Sequence, residues 1–180
     1  MKNKKIFIGC SSSELVNDEY MNLAIDVSLK ISQLGYDFVF GAASFGMMGK
    51  CYDNFIHSGR KVYSFTTTKY EDDLLNLKSY KDKICITSFE RTSSIYLECD
   101  VILFLPGGTG TFAEIFGMLE ENRSINNPKE IILYNYNGFY DGVLDLIQFC
   151  VDNKFNTNDI FDYFCVCYSM EEIIEKIWKT

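Results

Sequence analysis

The chain has 180 residues, of which 47% are hydrophobic and 16% aromatic, enough apolar material for the core of one domain over 1–180 and far from the composition of a disordered segment. The formal net charge of −8 gives the surface no field for a nucleic-acid backbone, so an anionic ligand has to be held by local devices. Seven cysteines without a Cys-x-x-Cys pair, and a single histidine, His57, speak for reduced cytoplasmic thiols and against a metal site.

The basic start MKNKK runs into an apolar stretch too short for a signal peptide, and 5–9 (KIFIG) reads as a first strand; nothing has the apolar length of a membrane span. Over 18–35, Tyr20, Leu23, Ala24, Val27 and Ile31 recur at helical spacing, and Gly35 stops the helix. Strands are predicted at 37–42 and 61–65, separated by GAASFGMMG and a short helix through Phe55 and Ile56. The polar stretch after residue 65 reads as a loop with a helical turn, and 83–88 (KICITS) as the next strand. A helix over 90–98 leads to VILFLP, whose unbroken apolar run predicts the strand at the sheet centre, buried on both faces. After a further helix come a strand over 130–134, a helix over 139–153, a strand near FCVC and a terminal helix. Strands alternating with helices in this way predict an α/β fold, a doubly wound and mainly parallel sheet with helices on both faces.

The turn PGGTGT then lies at the C-terminal end of a central strand, where open α/β sheets bind ligands. Gly107, Gly108 and Gly110 allow a ligand to approach the backbone, and a helix starting near Thr111 offers unpaired N–H groups to a phosphate. The competing explanation is tight packing, with Thr111-x-x-Glu114 as a capping box; that accounts for Glu114 but not for the three glycines before it. Gly108-x-Gly110-x-x-Ala113 also fits the loose dinucleotide fingerprint, with Glu130 about twenty residues on, but that motif belongs to the first strand of its unit. Gly49-Lys50 lacks the other residues of a P-loop. In SFERTSS, Arg91 stands in the first turn of a helix, against the dipole, which hints at an anion nearby. Neighbouring parallel strands are expected to bring Arg91 and Glu114 to one crevice. Cys10 follows the first strand, but its only conceivable imidazole partner is His57, and a core thiol is the better reading.

Taken in order, GCSSS (9–13), GAASFGMMG (41–49), ER (90–91) and PGGTGTFAE (106–114) resemble the LOG family of Rossmann-like proteins, which includes cytokinin riboside 5'-monophosphate phosphoribohydrolases and is often labelled "lysine decarboxylase". The resemblance implies hydrolysis of the N-glycosidic bond of an AMP-like nucleoside 5'-monophosphate, without cofactor or metal, by a homodimer. By matching positions, Arg91 and Glu114 are the catalytic pair, and Gly107, Gly108, Thr109, Gly110 and Thr111 hold the 5'-phosphate. Ser11, Ser12, Gly41, Gly46, Met47, Gly49 and Glu90 border the nucleotide. Glu114, near a helix N-terminus, is expected to favour its ionised form, as a base or electrostatic stabiliser. Two positions depart from the family pattern: Thr92 stands where a lysine commonly follows the arginine, and Ala42-Ala43 replace glycines. The decarboxylase label would require pyridoxal phosphate and a Schiff-base lysine, and no lysine stands beside the glycine turn. The alternative is a non-catalytic nucleotide-binding or sensing protein on the same fold.

Overall fold

The computed structural model describes residues 3–179. Seven strands, β1 (Lys5–Gly9), β2 (Asp37–Phe40), β3 (Val62–Thr67), β4 (Lys81–Cys85), β5 (Val101–Phe104), β6 (Glu130–Tyr134) and β7 (Cys165–Cys167), form one parallel sheet in the order β4-β3-β2-β1-β5-β6-β7. The helices are α1 (Asp18–Gln33), α2 (Gly46–His57), α3 (Ser88–Glu98), α4 (Thr109–Ser124), α5 (Asp141–Asp152) and α6 (Met170–Lys179). This is the expected doubly wound, Rossmann-like α/β fold. None of the described helices is long and apolar enough to cross a membrane.

The two faces follow from alternation along the strands. Ile6 and Ile8 of β1 join the layer formed with α1, α2 and α6, whereas Phe7 joins the layer with α3, α4 and α5. Helix α1 buries Leu23, Ala24, Val27 and Ile31 of the predicted stripe, with Tyr20 partly buried against the same core, and Gly35 ends it at φ +97°. The centre of the sheet is β1 and not β5, because the chain starts in the middle, winds out to β4 and returns to lay β5 against β1. That reversal opens a crevice beyond the C-terminal ends of β1 and β5.

Several boundaries differ from the sequence reading, β2 ending at Phe40 and α3 starting at Ser88 among them, and two of the differences have plain local reasons. The strand predicted over 83–88 ends at Cys85, because the Thr87 hydroxyl accepts a hydrogen bond from the Glu90 N–H at 3.1 Å and starts α3. Helix α4 begins at Thr109 with Gly108 as its N-cap, so Thr111 is already inside the helix and the proposed capping box does not form.

Candidate active site

The end of β5 is fixed before the turn begins. The Leu105 N–H donates to the Gly9 carbonyl at 2.9 Å, and the buried Tyr140 hydroxyl donates to the Leu105 carbonyl at 2.6 Å. The glycines that follow have different physical reasons. A Cβ on Gly107 would stand 2.1 Å from Thr111 Oγ1, so packing alone demands that glycine. At Gly108 and Gly110 a Cβ would meet nothing within 4 Å, and packing does not explain them. The first intrahelical bond of α4 runs from the Phe112 N–H to the Gly108 carbonyl at 3.1 Å, and no side chain caps the helix. The N–H groups of Thr109, Gly110 and Thr111 therefore have no intrahelical acceptor and stand at the positive end of a sixteen-residue helix, an arrangement suited to an anion.

Arg91 on α3 and Glu114 on α4 meet beside this turn. Arg91 Nη2 donates to Glu114 Oε1 at 2.7 Å, and Nη1 reaches the Gly41 carbonyl at 3.5 Å. Neighbouring strands do not bring them together, as the sequence suggested, since β4 and β5 have three strands between them. Instead α3 lies directly on α4, where Gly117 leaves room for Thr92: a Cβ there would be 3.3 Å from the threonine methyl. Gly41 is followed by Ala42, buried in the left-handed region at φ +63°, a conformation costly for alanine and held by its surroundings.

Glu114 is 4% exposed, and its burial pushes its pKa up to about 7; the Arg91 charge pulls it down by less. The expectation of an ionised carboxylate favoured by the helix end is thus corrected. Glu114 lies beyond the first turn of α4, where the dipole has faded, and loss of water outweighs the one cation it touches.

A cavity of about 460 Å³ joins these groups. Of the predicted site residues, Ser11, Ser12, Gly41, Arg91, Gly108, Thr109, Gly110, Thr111 and Glu114 line it. Gly107 and the buried Met47 line an adjoining cavity of about 380 Å³ that shares Ser11 and Gly108. Gly46 and Gly49 are packing positions: a Cβ would fall 2.6 Å from the Ser12 backbone and 2.4 Å from the Ser44 carbonyl oxygen respectively. Glu90 is turned away from the cavity, accepting from the Ile86 N–H at 2.8 Å and standing 3.6 Å from Lys83 Nζ. Cys10 lies in the cavity wall at 3% exposure, and the neighbouring Cys51 thiol together with burial pushes its own thiol up, which makes it a poor nucleophile. His57 is exposed on α2, its Nδ1 2.7 Å from the Asp53 carbonyl. Thr66, Tyr70 and Asp73, from β3 and the 3-10 segment Thr68–Asn76, also line the cavity; a polar stretch without periodicity carried no signal for them.

A slightly larger cavity, about 480 Å³, lies at the opposite ends of the strands, but its Lys5 and Lys81 are both paired with Glu98. Size does not distinguish the two; the uncapped helix end and the buried carboxylate do.

The family model described as "Possible lysine decarboxylase" matches residues 48–177. The chain is 27% identical over 153 residues to the cytokinin riboside 5'-monophosphate phosphoribohydrolase LOG2 of Arabidopsis thaliana, covering 84% of this chain and 72% of that protein. It is 23% identical over 177 residues to the Arabidopsis thaliana protein of the same description, LOG3, covering 98% of this chain and 82% of the other. Among solved structures, the molybdenum cofactor carrier protein of Chlamydomonas reinhardtii superposes with a TM-score of 0.70 at 14% identity, over 99% of this chain and 98% of that one; at that identity the likeness concerns the fold.

Proposed function

The chain belongs to the LOG family, described as possible lysine decarboxylase, and from that premise we propose that it hydrolyses the N-glycosidic bond of a purine nucleoside 5'-monophosphate, releasing the free base and ribose 5-phosphate. The observation that carries the proposal is a buried carboxylate, Glu114, bridged to Arg91 beside the uncapped start of α4. The relatives' substrate class, a riboside 5'-monophosphate, has a phosphate for the helix end and a sugar for the carboxylate. The decarboxylase description is not adopted, because no lysine is among the residues lining the cavity to carry a Schiff base.

In the proposed reaction the 5'-phosphate binds the N–H groups of Thr109, Gly110 and Thr111, and the ribose lies against Glu114. Cleavage of the ribosyl C–N bond leaves its electron pair on the base nitrogen, which takes a proton from solvent, and builds positive charge on the sugar; the Glu114 carboxylate stabilises that charge and takes a proton from the water that adds to the sugar carbon. With a pKa of about 7, Glu114 exchanges a proton readily at neutral pH. Arg91, always charged, orients the carboxylate and biases it towards ionisation. Association as a homodimer belongs to the same proposal, supported by the exposed Ile86, Phe89 and Leu97 on and beside α3.

A non-catalytic nucleotide binder is the second reading, favoured by the direct ion pair at 2.7 Å that commits the Glu114 carboxylate to Arg91, whose buried Nε has no hydrogen-bond partner among the described residues. Incubation with AMP and with its N6-isopentenyl derivative separates the two. Equimolar base and ribose 5-phosphate are expected; binding of either nucleotide without base release would establish the second reading.

The pH profile tests Arg91. kcat/KM is expected to rise through about pH 7 as the free enzyme's Glu114 loses its proton. In Arg91→Ala the cation that favours the carboxylate is gone, so this limb moves to higher pH and the plateau falls at least about tenfold. A limb that stays in place would show that Arg91 does not act through Glu114.

A further inference from the structure

The cavity runs across the C-terminal ends of the strands, and its two ends differ in charge. At one end, after β5, stands the positive start of α4; in the middle are Ser11 after β1 and Gly41 after β2; at the other end, after β3, is Asp73. From β5 to β3 is three strand spacings, about 14 Å, the length scale of a nucleoside monophosphate laid across the strand ends. A phosphate at the α4 end places the sugar by Glu114 and directs the base to the β3 end.

Thr66, 2% exposed, anchors that end by donating from Oγ1 to the Tyr70 carbonyl at 3.2 Å. Tyr70 breaks the 3-10 segment at φ −123° and ψ 24°; the residue is 51% exposed, with Lys69 Nζ 4.9 Å from its ring centroid. Asp73 is half-buried, and its carboxylate makes no hydrogen bond or ion pair with any other described residue. A carboxylate is acceptor-only, repels the phosphate end and calls for an N–H donor. A phenol ring beside it offers a stacking face to any base.

We propose that Asp73 is the base-reading residue of this site, accepting a hydrogen bond from an amino group on the edge of an aminopurine, with Tyr70 stacking on the ring. The assignment rests on the reading of the cavity as a nucleotide site, and it adds the residues that select the base. An N6-monosubstituted adenine retains one N–H and stays within that class.

The test compares AMP with purine riboside 5'-monophosphate, which has the same phosphate, sugar and ring system but no amino group. Wild-type protein is expected to favour AMP at least about tenfold in kcat/KM and in Kd, as for one hydrogen bond to a charged group. Asp73→Ala brings the ratio close to one by weakening AMP alone, and Asp73→Asn, which keeps an acceptor, recovers part of it. Tyr70→Ala weakens both nucleotides alike. A ratio unchanged in Asp73→Ala, or an equal loss on both ligands, overturns the role of Asp73 and leaves the proposed hydrolysis intact. If both nucleotides bind and neither is cleaved, hydrolysis fails, and the two Kd values still decide on Asp73. If neither binds, both readings fall.

Discussion

Glu114→Gln is expected to reduce base release by about a thousandfold or more while making the folded protein more stable at neutral pH. Both effects come from the same buried carboxylate. Burial raises its pKa from the ordinary 4.5 to about 7, so the native chain holds a proton that the unfolded chain gives up. Below pH 4.5 both states are protonated and the group contributes nothing. Between 4.5 and about 7 the unfolded state alone is ionised, and wild-type stability falls as pH rises; above about 7 the loss is complete. A glutamine has no charge to bury and keeps an oxygen for Arg91 Nη2. The variant therefore gains over wild type across that window, reaching on the order of 2 kcal/mol at pH 8. Melting both proteins at pH 4 and pH 8 measures the gap, and a wild type that is the more stable of the two at pH 8 would mean that Arg91 outweighs burial. Undiminished base release from the variant would remove Glu114 from the reaction.

What the sequence could and could not disclose divides along physical lines. Local rules were legible: the stripe Leu23, Ala24, Val27, Ile31, the stop at Gly35 and the buried run of β5 are each set by a few neighbouring residues. Helix α4 was misplaced by two residues, because a glycine N-cap leaves no side-chain signature and Thr111 offered a plausible one. Quantities that depend on strand order were beyond reach. Arg91 and Glu114 meet through α3 packing on α4, not through adjacent strands, and the ionisation of Glu114 is governed by a burial that only the assembled layers create. Asp73 and Tyr70 gave no signal at all, because what gives them meaning is that β3 ends on the same crevice as β1 and β5.

Alanine at each glycine of the turn is expected to separate folding from binding. Gly107→Ala drives a methyl into Thr111 Oγ1, with the built Cβ at 2.1 Å, and should lower the melting temperature. Gly108→Ala and Gly110→Ala place the methyl in open space, and inside α4 the second even gains up to about 1 kcal/mol of helix propensity. If the turn were glycine-rich only for packing, these two variants would behave as wild type in every assay. If the N–H groups of Thr109, Gly110 and Thr111 hold a phosphate, the same methyls occupy the space of the anion. The Kd for AMP then rises about tenfold to a hundredfold, while weak binding of adenosine, which has no phosphate, is unchanged. The contrast between a stable fold and a lost anion is the signature, read by thermal melts and titration on the same samples. Gly110→Ala binding AMP as tightly as wild type would return all three glycines to the architecture of the turn and move the phosphate elsewhere in the cavity.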